Sequence, residues 1–245
     1  MDNLLQTIRE LKTKAKNRRD LKRYESAATI LDRAIALTEG DLTATDSPDW
    51  KAQLASELSD CFGLLGGVYR RWGLESEIPE ERILHLRQSV EAYTRGYNLE
   101  VVEEYHIVNS YNMVNRLVSY ILMKPDSLAD SPAQANPALN DPLNVREELE
   151  KAEEAIRYQL REKRRGDIWA LADFALVRLL LEKDDPSPAY AEFNAQSPPD
   201  YAYESALSTL RPMAELNFPA ASRCHEAAQL LESKLSQLQS SRRAQ

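Results

Sequence analysis

The residues able to do chemistry in this chain are few and scattered. Three histidines, His85, His106 and His225, lie far apart and follow no metal-ligand spacing. A metal site needs converging ligands, so each reads as a structural or surface histidine. Cys61 and Cys224 form no CxxC pair. The carboxylate pairs Glu80-Glu81 and Glu153-Glu154 are sequence neighbours and are expected on exposed helix positions. Nothing in their surroundings marks the shared apolar pocket that would raise a pKa for acid catalysis. Gly66-Gly67 is too short to cradle a phosphate and falls within a helix; no GxSxG, GxGxxG or phosphate loop occurs. These patterns predict a non-enzymatic protein without a cofactor or metal. What remains is charge clustering: Arg9, Lys12, Lys14, Lys16, Arg18, Arg19, Lys22 and Arg23 near the start, and Arg157, Arg161, Lys163, Arg164 and Arg165 later.

The elements that carry these residues are helical. The 245 residues include only 7 Gly, while Ala, Leu, Glu, Arg and Lys dominate. Alternating β-branched stretches are nearly absent, which argues an all-α fold. The net charge of −8 repels phosphate backbones, so nucleic-acid binding is disfavoured and the basic runs read first as solvated faces. No apolar run is long enough to span a bilayer. The N-terminus MDNLLQTIRELK lacks the apolar core of a secretory signal. A reducing, cytoplasmic setting without a Cys61–Cys224 disulfide is the expectation.

Along the chain, Leu4, Ile8, Leu11 and Ala15 share one helix face. Tyr24, Ala27, Leu31, Ala34 and Leu37 repeat in the next helix, and Gly40 is placed to cap it in a left-handed conformation. Leu42 to Pro48 reads as a loop, and Ser47-Pro48-Asp49 as a helix start. The helices 49–72 and 79–97 form a hairpin. Three glycines, Gly63, Gly66 and Gly67, fall in its first helix, each at a cost of up to about 1 kcal/mol relative to alanine. Close approach by another helix is the steric reason. A helix over 103–123 follows, then a long Pro/Ala/Ser-rich connection from Lys124 to Pro142. Helices over 143–165 and 167–183 come next, then a short one at Ser187-Pro188. Another, from Tyr201 to Leu216, is ended or kinked by Pro212. A capping helix over 219–240 carries Leu230, Leu231, Leu235 and Leu238 inward.

The span Ile8 to Leu37 resembles a tetratricopeptide repeat, whose period is about 34 residues. Ala15 stands for the small residue of the first helix, and Tyr24, Ala27, Leu31 and Ala34 match the second in order. The next hairpin matches through Leu65-Gly66 and Tyr69. Its second helix departs, with Leu86, Val90 and Tyr93 where smaller residues are usual, which predicts a wider separation there. The resemblance implies one domain over 1–245: a right-handed superhelical solenoid of antiparallel helix pairs.

Further on, TRGYNLE, Tyr105-x-x-Val108-Asn109, Asp167-x-Trp169-x-x-Ala172 and Tyr203-Glu204-Ser205-x-x-x-Thr209-Leu210 stand in an order similar to the tetratricopeptide domain of the apoptosis signal-regulating kinases and its bacterial relatives. The similarity spans Val90 to Leu216. It implies a regulatory module that holds partner proteins and controls an effector, here a separately encoded protease or kinase.

In such a stack the first helix of each pair lines the groove. Counted from Gly66, the groove side includes Asp60, Gly63, Gly67, Arg70 and Arg71, with the arginines placed to hold a carboxylate. Asn109, Asn112, Arg116, Trp169 and Asp173 are the comparable positions of later pairs; core packing is the competing reading for Trp169. The predicted function is an adaptor or regulatory subunit binding a protein or peptide, with self-association open. The alternative is a small-ligand or nucleotide sensor using the Arg18–Arg23 or Arg161–Arg165 clusters.

Overall fold

The computed structural model describes residues 2–100, 110–128 and 143–243. Every regular element among them is helical. The chain divides into two compact units, Met1–Met123 and Lys124–Gln245.

The first unit contains α1 (Asp2–Asp20), α2 (Tyr24–Ala44), α3 (Pro48–Glu75), α4 (Pro79–Glu100) and α5 (Ser110–Met123). Each helix packs on the next, and α3 also touches both α1 and α5. The turn from α1 to α2 closes through Lys22, at φ +56°. Its amide donates to Arg19 O at 2.9 Å and that of Arg23 to Arg18 O at 2.9 Å, the paired bonds of a left-handed C-terminal cap made without glycine. Three residues between helices leave α2 nowhere to go but back along α1. Ile8, Ala15, Ala27, Leu31 and Ala34 are buried where the two meet.

Helix α2 does not stop at Gly40. It runs on to Ala44, because the extra turn is held twice: Leu42 packs against the core, and Asp41 accepts a hydrogen bond from Trp50 Nε1 at 2.6 Å. The expected loop shrinks to residues 45–47. Leu37 is largely outside the core; its place is taken by Thr38, fully buried, whose hydroxyl donates to Ala34 O at 2.8 Å. A Cβ at Gly40 has nothing within 4 Å. Gly40→Ala therefore gains helix propensity without crowding and is expected to stabilise the protein by about 0.5–1 kcal/mol, read as a rise in urea midpoint.

Ser47 Oγ accepts from the Trp50 amide at 3.4 Å, with Pro48 in the first turn of α3, as its sequence predicts. On the other side of α3, bulk on α4 is met by absence of bulk. Tyr93 is fully buried, and a Cβ at Gly66 would lie 2.7 Å from its ring. At Gly73 a Cβ would lie 3.0 Å from the Arg82 carbonyl oxygen. The large residues of α4 thus do not hold the pair apart; the glycines of α3 receive them. At one end of the pair Trp72 stacks on His85 at 3.9 Å, with Tyr24 and Tyr69 beside it at 6.2 and 6.4 Å from Trp72. His85 Nδ1 lies 2.8 Å from Gln88 Oε1, so this histidine is part of the packing.

The second unit begins with a single 3-10 turn, Pro125–Leu128; the rest of the expected long loop, 129–142, lies outside the described residues. It continues with α6 (Val145–Glu162), α7 (Ile168–Leu180), the short α8 (Pro186–Ala189) and α9 (Ala191–Ala195), α10 (Asp200–Ala214) and α11 (Ala221–Arg243). Asn144 caps α6 through the Glu147 amide at 3.3 Å. Asp167 caps α7 through the amides of Trp169 and Ala170 at 2.9 and 3.0 Å. Phe193 is the hub of the small helices, edge-on to Tyr190 and Tyr203 at 6.0 and 5.3 Å. Pro212 sits in the last turn of α10, which ends at Ala214. Helix α11 packs on α10 and α8. Its buried stripe is Cys224, Ala227, Ala228 and Leu231; Leu230, Leu235 and Leu238 are only partly covered.

Candidate partner-binding groove

Helix α3 presents three faces with different fates. Toward α1, Glu57 pairs with Arg9 at 3.0 Å and with Lys12. Asp60 lies 3.2 Å from Lys12, Arg71 lies 3.3 Å from Asp20, and Glu75 lies 3.1 Å from Lys22. This ladder ties the two first helices side by side. Toward α5, Ser59 Oγ accepts from Asn112 Nδ2 at 2.9 Å, and Arg70 donates to Asn115 Oδ1 at 2.5 Å. Between these faces runs an accessible stripe: Ser56, Asp60, Leu64, Arg71 and Leu74, interrupted by Gly67.

The predicted site residues divide accordingly. Asp60 and Arg71 stand on the stripe, with side chains 58% and 42% exposed. Arg70, Asn112 and Arg116 do not line it. All three are buried: Arg70 lies over the Tyr93 ring at 5.7 Å, Arg116 over Tyr97 at 4.5 Å. Asn112 fills the space left by Gly63 and Gly96, where a Cβ would meet its side chain at 2.7 and 2.5 Å. The physical reason is that the glycines admit α5 so closely that its polar residues become seam rather than surface. Gly63 is likewise packed against Tyr111 and Asn112 and forms no groove floor. Asn109 lies outside the described residues. In the second unit, Trp169 is exposed at the start of α7 beside exposed Tyr201, ring centroids 6.1 Å apart, so it is not core. Asp173 is half-buried one turn later, where its charge helps burial raise the Tyr190 pKa.

Stripe residues that sequence reasoning passed over are Leu64 and Leu74. Positions 60, 64, 67, 71 and 74 fall on one helical face, and that spacing is the signal that could have found them.

Near the end of the stripe a hollow of about 270 Å³ opens, lined by Arg19, Asp20, Lys22, Tyr24, Arg71, Leu74 and Glu75. Burial, and then the charge of Arg19, push the Arg71 pKa below its ordinary value. Asp20 works in the other direction, and Arg70 adds to the repulsion. The guanidinium thus meets like charge beside its Asp20 partner. The hydroxyl of Tyr24 is pushed up to about 12, by burial first and then by a hydrogen bond to Glu75. It is a donor at any ordinary pH.

No catalytic thiol competes for attention. Burial pushes both Cys61 and Cys224 up to about 12, so neither supplies a thiolate. Among the described residues no three His, Cys, Asp or Glu side chains are grouped to hold a metal ion, and no helix is long and apolar enough to cross a membrane.

Residues 2–120 match the family model described as Tetratricopeptide Repeats-Sensor. This stretch is tetratricopeptide-type. The matched stretch takes in α1 to α4 and most of α5, so the tetratricopeptide module coincides with the first unit. Repeats of this type generally mediate protein interactions and are typically non-catalytic. The narrower likeness to the apoptosis signal-regulating kinase domain rests on the sequence positions alone. No curated protein and no solved structure gives a match.

Proposed function

We propose that the tetratricopeptide module binds an acidic segment of a partner protein along α1 and α3, with Arg71 as its anchor. The observation that carries this reading is Arg71 itself: a half-exposed guanidinium in an open hollow, paired on one side with exposed Asp20 at 3.3 Å and with the like charges of Arg19 and Arg70 also close. A partner carboxylate accepting its two parallel N–H bonds would offset those like charges. Leu64 and Leu74 flank it with apolar area, while Lys12, held by Glu57 and Asp60, fixes α1 beside α3. The excess of basic over acidic residues in 9–23 supports an acidic partner by charge complementarity, against the grain of an acidic chain. The word sensor in the family's description suits a module whose occupancy is read by another protein. We extend the proposal to regulation of an effector of that kind, a protease or kinase.

The test is affinity capture from the native organism with the wild-type protein and Arg71→Glu in parallel, quantified by mass spectrometry. Arg71 is half-exposed, so helicity should be unchanged. A charge-assisted pair is worth about 1.5–3 kcal/mol, so the partner is expected to fall by about tenfold or more. Equal recovery by both forms removes Arg71 as anchor. Arg70→Glu is not an equivalent probe, because it places a carboxylate inside the packed seam and reports on folding.

A further inference from the structure

The second unit contains a cleft that the groove reading does not use. It has a volume of about 590 Å³ and lies between the end of α6, the turn into α7 and α9. Arg157, Arg161 and Arg165 line one side, Leu171 and Phe174 form an apolar wall, and Glu192 stands opposite. We infer that this cleft is a binding site for a small phosphorylated ligand with a flat apolar end, the chemistry of a nucleoside phosphate.

Its charge is the first argument. Arg157 and Arg161 are one helical turn apart, about 6 Å along the axis, and Arg165 follows in the turn. Three arginines face one lining carboxylate. Arg157 does bond Glu153, but that carboxylate is shared with Arg178 and Lys183, so it does not neutralise Arg157 alone. Among the described residues Arg161 has its exposed sequence neighbour Glu162 as ion-pair partner, at 2.6 Å, and such a pair is worth little. The fourth arginine of the run is committed elsewhere: Arg164 holds the capping carboxylate of Asp167 at 3.0 Å. The turn therefore separates one structural arginine from three that face the cleft.

Its shape is the second argument. Gly166 adopts φ +73°, a conformation other residues avoid, and a Cβ there would come within 3.2 Å of Gln196 Oε1. The turn and the end of α9 are thus brought close, with the Gln196 side chain against Gly166 at the mouth. A volume of this order is that of a small-molecule site. Guanidinium forks match phosphate oxygens, and Phe174, with Arg157 and Arg178 over its ring at 5.9 and 5.6 Å, stands with Leu171 as the apolar side of the cleft. A nucleic acid would need a longer track of cations than one cleft supplies.

The experiment is titration calorimetry on the full chain with ADP, adenosine and pyrophosphate, on wild type, Arg161→Glu, Arg165→Glu and, outside the cleft, Arg33→Glu. ADP is expected to bind wild type and Arg33→Glu alike. Each cleft reversal should weaken it about tenfold or more, with helicity unchanged because these side chains are exposed. Arg71→Glu should also leave ADP binding intact, which separates this site from the groove. Absence of ADP binding at millimolar concentration, or equal weakening by Arg33→Glu, overturns the site. Pyrophosphate binding as tightly as ADP overturns the apolar end. Displacement of ADP by a hexaglutamate peptide at lower concentration than by pyrophosphate overturns the small-molecule class.

Discussion

Gly66→Ala is expected to destabilise the first unit by about 1–2 kcal/mol, although alanine is the better helix former. The propensity gain is up to about 1 kcal/mol. Against it stands a methyl group 2.7 Å from the Tyr93 ring, and Tyr93 has no exposed surface through which to retreat. Inserting one carbon into such packing costs about 1–3 kcal/mol, and here the cost also falls on the placement of α4. The contrast with Gly40→Ala makes the prediction sharp. The same substitution in a helix of the same unit has opposite sign, because one glycine faces open space and the other faces a ring. Urea titrations of both variants decide it. A Gly66→Ala protein as stable as wild type would show that Tyr93 is not seated on Gly66. Adding Tyr93→Leu to Gly66→Ala should recover part of the loss, a coupling expected only between residues in contact.

Glu153→Gln is the second large effect, expected to cost about 2–3 kcal/mol. The side chain is almost completely covered and receives Arg157, Arg178 and Lys183. The neutral amide cannot accept from three cations, and each charged hydrogen bond contributes about 1.5–3 kcal/mol at most. The cations are partly exposed and recover solvation when released, which keeps the loss well below the sum. Burial alone would raise the Glu153 pKa. The hydrogen bond from Lys183, followed by the charges of Lys183, Arg157 and Arg178, outweighs it and holds the carboxyl below its ordinary 4.5. A depressed carboxylate contributes stability that is fully present above the unfolded value and lost as pH falls through the folded one. Wild type should therefore lose stability below about pH 4.5, with Asp184, also held low chiefly by its hydrogen bond from Arg178, adding to the loss. Glu153→Gln should show a lower plateau and a shallower acid slope. An unchanged acid slope would remove Glu153 from the centre of this cluster.

Much of this architecture is legible in the residues. The Tyr24, Ala27, Leu31, Ala34 series and the Ser47-Pro48 start are local signals, and helix faces and starts are local structure. The three glycines of α3 announce close packing for the same reason. What they do not announce is which neighbour comes close. Asn112 and Arg116 read as surface because their types are polar, and only the meeting of Gly63 and Gly96 with α5 buries them. Gly40 reads as a cap because the tether from Asp41 to Trp50 is a contact across the loop. Lys22 closes its turn without glycine, which no preference table favours. The paired arginines 70 and 71 are adjacent in sequence, yet about 100° of helix rotation between neighbours sends one into the seam and leaves the other on the stripe. In the second unit the apolar run around Trp169 sets core packing against its place among the groove candidates, and its position in the first turn of α7 exposes it.

We propose a partner along α1 and α3 of the tetratricopeptide module. Hydrogen–deuterium exchange of the full chain, with and without the captured partner, tests it most directly. Added protection is expected in 9–20 and 56–75, with α2 and the second unit unchanged. Protection confined to α2 and α4, or to residues 143–243, would contradict it and place the partner elsewhere.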